Sequence, residues 1–247
     1  MMKHLLKLSA LGALALPFAA ARADLVFDGI VTVGGTGLGT VTTVLTLQSN
    51  PTEQGCVGFT TSGDVTGTFT TFNQSGCTAG TNTDVKTGAS QTLTRTLSEA
   101  GVTTGSNFAI LFNAAEPSGN SISLDGLVAN FYNATTGALL FSAVYTGTNP
   151  LNFTSTQTGT GNTGAEFTLN AAEAAELQGF ITSLGAGNIR VGLGASAGVP
   201  NPSEGGVETF FIFNSGNATA VPEPSTVVLT ASGMIGLVGF VRRRRRT

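Results

Sequence analysis

From residue 25 onward, short apolar runs rich in Val, Ile, Thr and Phe alternate with clusters of Gly, Asn and Thr. The runs cover 25–33, 41–47, 65–70, 107–112, 127–132, 138–145, 190–193 and 208–213. Their length and β-branched or aromatic content suit a pleated, half-buried surface, and frequent turn signals separate them. Many short strands predict an all-β domain, a β-sandwich of jelly-roll-like kind, rather than an alternation of strands and helices. Asn133, Ala134, Thr135, Thr136 and Gly137 lie between two of the runs and predict a hairpin turn. One stretch has the other period. Asn170 followed by Glu173 has the shape of a capping box, and Leu177, Phe180, Ile181 and Leu184 then recur at helical spacing until Gly185. This predicts one short helix over 171–184, lying across the sandwich and closing its core. No repeat of constant period is present, and the Thr/Gly-rich stretch 154–164 predicts a long loop.

The two ends follow different patterns. Lys3 and Lys7 precede an apolar stretch from Leu8 to Ala21, and Ala21-Arg22-Ala23 is a small-x-small site. That order predicts a signal peptide over 1–23, cleaved before Asp24. At the other end, 226–241 is apolar or small throughout and Arg242, Arg243, Arg244, Arg245 and Arg246 follow directly. Sixteen helical residues span about 24 Å against a hydrocarbon core of about 30 Å, a deficit that snorkelling arginines reduce. We expect a single C-terminal transmembrane helix at 226–241, with the arginines as a cytoplasmic stop-transfer block. The expected organisation is a signal peptide (1–23), a β-sandwich ectodomain (24–218) and a sorting and anchor segment (219–247).

Val221, Pro222, Glu223, Pro224 and Ser225, followed by that apolar segment and the arginine block at the very end, resemble the PEP-CTERM sorting domain of Gram-negative bacteria. The resemblance covers about the last tenth of the chain. It implies processing by a membrane-embedded exosortase, transient anchoring in the inner membrane, and delivery to the cell surface or extracellular matrix. It implies nothing about what residues 24–220 do. The stretches 120–127 and 192–197 are similar to segments of other exported PEP-CTERM proteins, again without an activity attached.

Charge changes the picture once the ends are set aside. The formal net charge is -3. Of the basic residues, only Lys86, Arg95 and Arg190 lie between the leader and the tail, whereas all 14 acidic residues lie between Asp24 and Glu223. The stretch in between is strongly acidic, so nucleic acid is not an expected partner. Cys56 and Cys77 are the two cysteines of a chain read as exported, so a disulfide between them is expected. His4, the single histidine, lies in the predicted leader. A mature chain without histidine has no Ser-His-Asp or Cys-His relay and no histidine-based metal site. No catalytic residue, metal ligand set or cofactor is assigned, and the protein is not expected to be an enzyme.

The expected function is a structural or adhesive role in biofilm or exopolysaccharide, with extracellular polysaccharide as a further partner. The alternatives are a carbohydrate-binding module using exposed Tyr132, Tyr145 or Phe residues, or a calcium-binding module using acidic turns at Asp28, Asp64, Asp84 and Asp125. A carboxylate-only glycosidase would need two acids facing one cleft.

Overall fold

A computed structural model describes residues 24–33, 41–69, 76–88, 91–116, 120–153 and 163–220. The strands are β1 (Asp24–Val33), β2 (Thr42–Leu47), β3 (Glu53–Thr60), β4 (Gly63–Gly67), β5 (Arg95–Thr96), β6 (Phe108–Ala114), β7 (Ile122–Asn133), β8 (Leu139–Tyr145), β9 (Leu151–Phe153), β10 (Thr163–Leu169), β11 (Ile189–Ala197), β12 (Glu208–Asn214) and β13 (Ala218–Ala220). One α-helix, α1 (Ala171–Leu184), interrupts them. The sheet runs β2-β12-β6-β10-β1-β8-β7-β11-β3-β4. It curls into two layers at β1, whose Asp24 and Leu25 run parallel to Val144 and Tyr145 of β8. The all-β expectation holds, but in place of the expected two-sheet jelly-roll-like sandwich the described strands form one continuous curled sheet. Among the described residues no helix is long and apolar enough to cross a membrane. The expected span at 226–241 and the expected signal peptide lie outside the described residues.

Alternation along the strands builds the core. In β6, Phe108, Ile110 and Phe112 join the main apolar cluster, while Ala109 and Leu111 join a second one with Val31, Val33, Val41, Phe211 and Phe213. The first face meets the other layer ring to ring. Phe108 packs on Phe131 at 5.0 Å, Phe112 on Phe153 at 5.4 Å, and Tyr145 on Phe167 at 5.3 Å. Because β6 and β12 are apolar on both faces, their sequences read as continuous apolar runs rather than as alternation.

Five strands lack such runs: the short β5, β9 and β13, and the longer β3 and β10. β3 (EQGCVGFT) and β10 (TGAEFTL) are broken by Gly, Glu and Thr, and no strand is expected there from pattern alone. Yet β10 sits centrally, between β6 and β1. β4 begins two residues earlier than the predicted run and ends at Gly67.

The predicted helix and its stop are both present. The Asn170 carboxamide oxygen accepts from Ala172 N at 2.8 Å and Glu173 N at 3.2 Å, and Gly185 ends the helix at φ 84°. The reciprocal half of the box is not made, because Asn170 N donates to Asp24 O instead. Leu177 is fully buried, and Phe180 stacks on Phe141 at 5.9 Å, so α1 closes the core. In the hairpin, Asn133 Oδ1 accepts from Thr135 N and Thr136 N.

Cys56 on β3 is bonded to Cys77. Cys77 N donates to Tyr132 Oη at 3.3 Å, and a Cβ at Gly76 would stand 2.8 Å from that oxygen. Tyr132 and Tyr145 are each 4% exposed, which corrects their expected role as sugar platforms: their rings are core. Among the described residues the exposed large apolar side chains are Val26 and Val199, neither of them aromatic.

Replacing Phe131, which stacks on Phe141 at 4.4 Å, by Ala should lower stability by about 3–5 kcal/mol in chemical denaturation. Removing the disulfide by Cys56→Ser with Cys77→Ser should cost about 3 kcal/mol by the same measurement.

Candidate functional site

Three carboxyl groups meet at one end of the curled sheet. Glu53 opens β3, Glu208 opens β12, and Glu116 follows β6 by two residues. Register brings these ends together, since Glu208 pairs with Ala114 of β6 and with Leu47 of β2. Glu53 is 1%, Glu208 0% and Glu116 8% exposed. The backbone satisfies part of the set: Ser49 N donates to Glu53 Oε2 at 3.2 Å, and Glu204 N donates to Glu116 Oε2 at 3.0 Å. The Glu208 carboxyl lies between the other two and hydrogen-bonds to both Glu53 and Glu116. Burial, together with the neighbouring carboxyls of Glu53 and Glu116, pushes the Glu208 carboxyl far above the usual range. Burial raises Glu53 as well, with the charges of Glu116 and Asp84 acting in the same direction.

The loop between β11 and β12 closes over these groups. Ser203 N donates to Pro51 O, Ser203 Oγ to Ser49 O at 3.0 Å, and Gln48 Nε2 to Gly205 O at 3.1 Å. The basic residues of the described chain are committed elsewhere. Lys86 donates to Thr83 O, Arg95 pairs with Glu99, and Arg190 donates to Thr94 O and lies over the Phe59 ring.

A second acidic pair lines a recess of about 500 Å³ bounded by Ser106, Ala171 and Ser215. Glu166 on β10 faces the bulge in β1, where Gly29 takes φ 118° and the register skips Asp28. Asp28 Oδ2 accepts from Thr168 Oγ1 at 2.6 Å. Burial, helped by the Asp28 charge, lifts Glu166 from 4.5 to about 7, and its Oε1 has no donor.

The four aspartates expected as calcium ligands do not converge. Asp28 bonds Thr168 and Asp64 bonds Thr94. Asp84 accepts from Gln54 N and Asp125 from Val199 N. Local pattern does not single out Glu53, Glu116, Glu166 and Glu208. The available signal was an acidic residue inside or at the head of an apolar strand, as in Glu208 leading into Thr209-Phe210-Phe211-Ile212-Phe213.

The expected sorting residues Val221, Pro222, Glu223, Pro224 and Ser225 and the arginine block Arg242, Arg243, Arg244, Arg245 and Arg246 lie outside the described residues. What leads to them is described. β13 pairs antiparallel with the end of β1, Val31 opposite Ala220 and Val33 opposite Ala218. Strand pairing therefore continues to the residue before Val221, two residues past the expected boundary at 218.

The PEP-CTERM protein-sorting motif matches residues 220–246, the segment that begins on the last residue of β13. The chain thus carries the signal of an exported, exosortase-sorted protein. No curated protein and no solved structure matches the chain.

The raised carboxyls set a pH dependence. A carboxyl raised on folding binds its proton more tightly in the native state, so stability is lost as pH climbs through the interval between its two values. For Glu166, with Asp28 beside it, that interval runs from 4.5 to about 7. For Glu53 and Glu208, faced by Glu116 and Asp84, it starts at the same value, 4.5, and extends upward. With divalent cations chelated, the thermal midpoint should rise on acidification from about pH 7.5 to about pH 5. Glu166→Gln should flatten that slope; a midpoint indifferent to pH would contradict the assignment.

Proposed function

We propose that this PEP-CTERM protein is a non-catalytic structural or adhesive component of the cell surface or extracellular matrix of a Gram-negative bacterium, placed there by an exosortase. The observation that carries the reading is the sorting motif over 220–246, which follows directly on β13. The tail's apolar stretch and arginines suit a temporary anchor at the inner membrane. Pro222 and Pro224 lack the N–H needed to extend a strand ladder and favour extended backbone, the form a protease cleft accepts.

The domain's composition supports the placement. Its basic residues are three against the acidic excess, and a surface of one sign resists association with anionic lipid and nucleic acid. The disulfide between Cys56 and Cys77 fits an oxidising compartment. Contact with extracellular polysaccharide would run through polar strands and loops, because the tyrosines are buried.

A hydrolytic reading has one observation in its favour, the Asp28 and Glu166 pair in the recess beside α1. Glycoside hydrolysis needs two carboxyls, one of them protonated near neutral pH. The non-catalytic reading expects no reducing-sugar release from purified residues 24–220 incubated with bacterial exopolysaccharides. Release that Glu166→Gln abolishes would replace it with the hydrolytic one. For the sorting claim, deleting 222–247 should send the protein into the periplasm or medium, as followed by cell fractionation. Undiminished surface retention of the deletion would sink it.

A further inference from the structure

We propose that the amino terminus released by cleavage before Asp24 docks on the buried Glu173 carboxyl, so that loss of the leader completes an ion pair between β1 and α1. The cleavage itself rests on the export reading, whereas the receiving site belongs to the described structure. The sequence expects the mature chain to begin at Asp24, and β1 begins at the same residue. That residue is pinned from several directions. Asp24 runs parallel to Val144 of β8, and its carbonyl accepts from Asn170 N at 3.2 Å. The next residue, Leu25, is buried opposite Leu169. A chain end at this position is tied down beside the first turn of α1 rather than left to fray.

Glu173 stands at the third position of that turn and is 2% exposed. In a capping box its carboxyl would reach back to Asn170 N, but that N–H is taken by Asp24 O. The carboxyl lies against the Asp24 N–H instead. Burial pushes Glu173 up and the Asp24 and Glu176 charges act the same way, while its own N–H and that of Asp24 act against them. Two acceptors at this corner are left over, since Glu173 Oε2 and Asp24 Oδ1 are buried without a donor. Lys86, Arg95 and Arg190 bond elsewhere, so no basic side chain of the described residues serves here. What the corner lacks is a cation with several N–H donors at the position of Asp24 N.

Hydrolysis of the bond between Ala23 and Asp24 makes that group. Water adds across the amide, Ala23 leaves as a carboxylate, and the nitrogen stays on Asp24 as an ammonium with three N–H donors in place of one. A chain that still carries its leader keeps a neutral amide there, so the domain is less stable before processing than after it. The charged groups at this corner are Asp24 on β1 and Glu173 and Glu176 on α1, all acidic. They hold the ammonium above the ordinary α-amino value of about 7.7–8.0. Its contribution is therefore complete below that value and is lost as pH climbs through the higher, folded one.

The experiment compares two purified chains in mild detergent, one running from Asp24 to Thr247 and one that retains Ala23 and so carries its ammonium one residue away. At pH 6.5 the chain beginning at Asp24 should melt roughly 4–8 °C above the other, and the gap should close near pH 10. Glu173→Gln should remove the gap. It should also make the Asp24 amine at least about 10-fold more reactive towards an acylating reagent, with Lys86 as internal reference. Should that variant fail to fold, acetylation of the Asp24 amine in the parent should cost as much as retaining Ala23. Equal midpoints for the two chains, or a gap that survives Glu173→Gln, would overturn the proposal. Mass spectrometry of the exported protein should read Asp24 as its first residue, and any other residue there would overturn it as well. Surface retention of the tail deletion bears on the sorting reading and moves none of these outcomes, so the two fail separately.

Discussion

The pairing of β1 is the constraint on which the arrangement depends. Its first residues run parallel to β8, its length pairs with β10, and its last three residues pair with β13. One strand thus belongs to both layers and fixes how far apart they stand. The phenylalanine contacts across the gap, Phe108 on Phe131 and Phe112 on Phe153, need that spacing to be held. The bulge at Gly29 lets the strand change direction between its two commitments, and it sets Asp28 outside the regular register. A glycine is needed there because φ 118° is a conformation that side chains oppose.

Much of this fold was legible in the chain, and the rest was hidden for identifiable reasons. Runs such as Leu139–Tyr145 and Glu208–Asn214 show themselves because both faces are apolar, and α1 because Asn170 and Gly185 punctuate it. The disulfide followed from the number of cysteines and the exported context. β10 escaped because Glu166 and Thr168 point away from the core, leaving only Ala165, Phe167 and Leu169 as the apolar signal. The acidic cluster escaped for a different reason. Glu53, Glu116 and Glu208 are separated by long stretches of chain, and only strand register brings them together. Local pattern carries no trace of that meeting. Tyr132 and Tyr145 misled in the opposite sense: residues with polar tips, they are held inside by a hydrogen bond and a ring contact.

The distribution of charge follows two rules at once. On the surface, an excess of carboxylates costs little in water and keeps the domain from associating. Inside, the same groups are held without basic partners, hydrogen-bonded to one another at one end of the curled sheet and set in the recess beside α1. A chain with three basic residues between its ends cannot neutralise these groups by ion pairing. Order at these two places must come from protons drawn from the surroundings, so the medium becomes a component of the fold.

The pairing of β13 with β1 also has a temporal meaning. A chain exported from its N-terminus presents β1 first and β13 last, and the edge of β1 near Val31 stays open until Ala220 arrives. The next residue belongs to the sorting segment. The last strand pair of the domain and its sorting address are therefore contiguous, and any change in the length of that junction alters both at once.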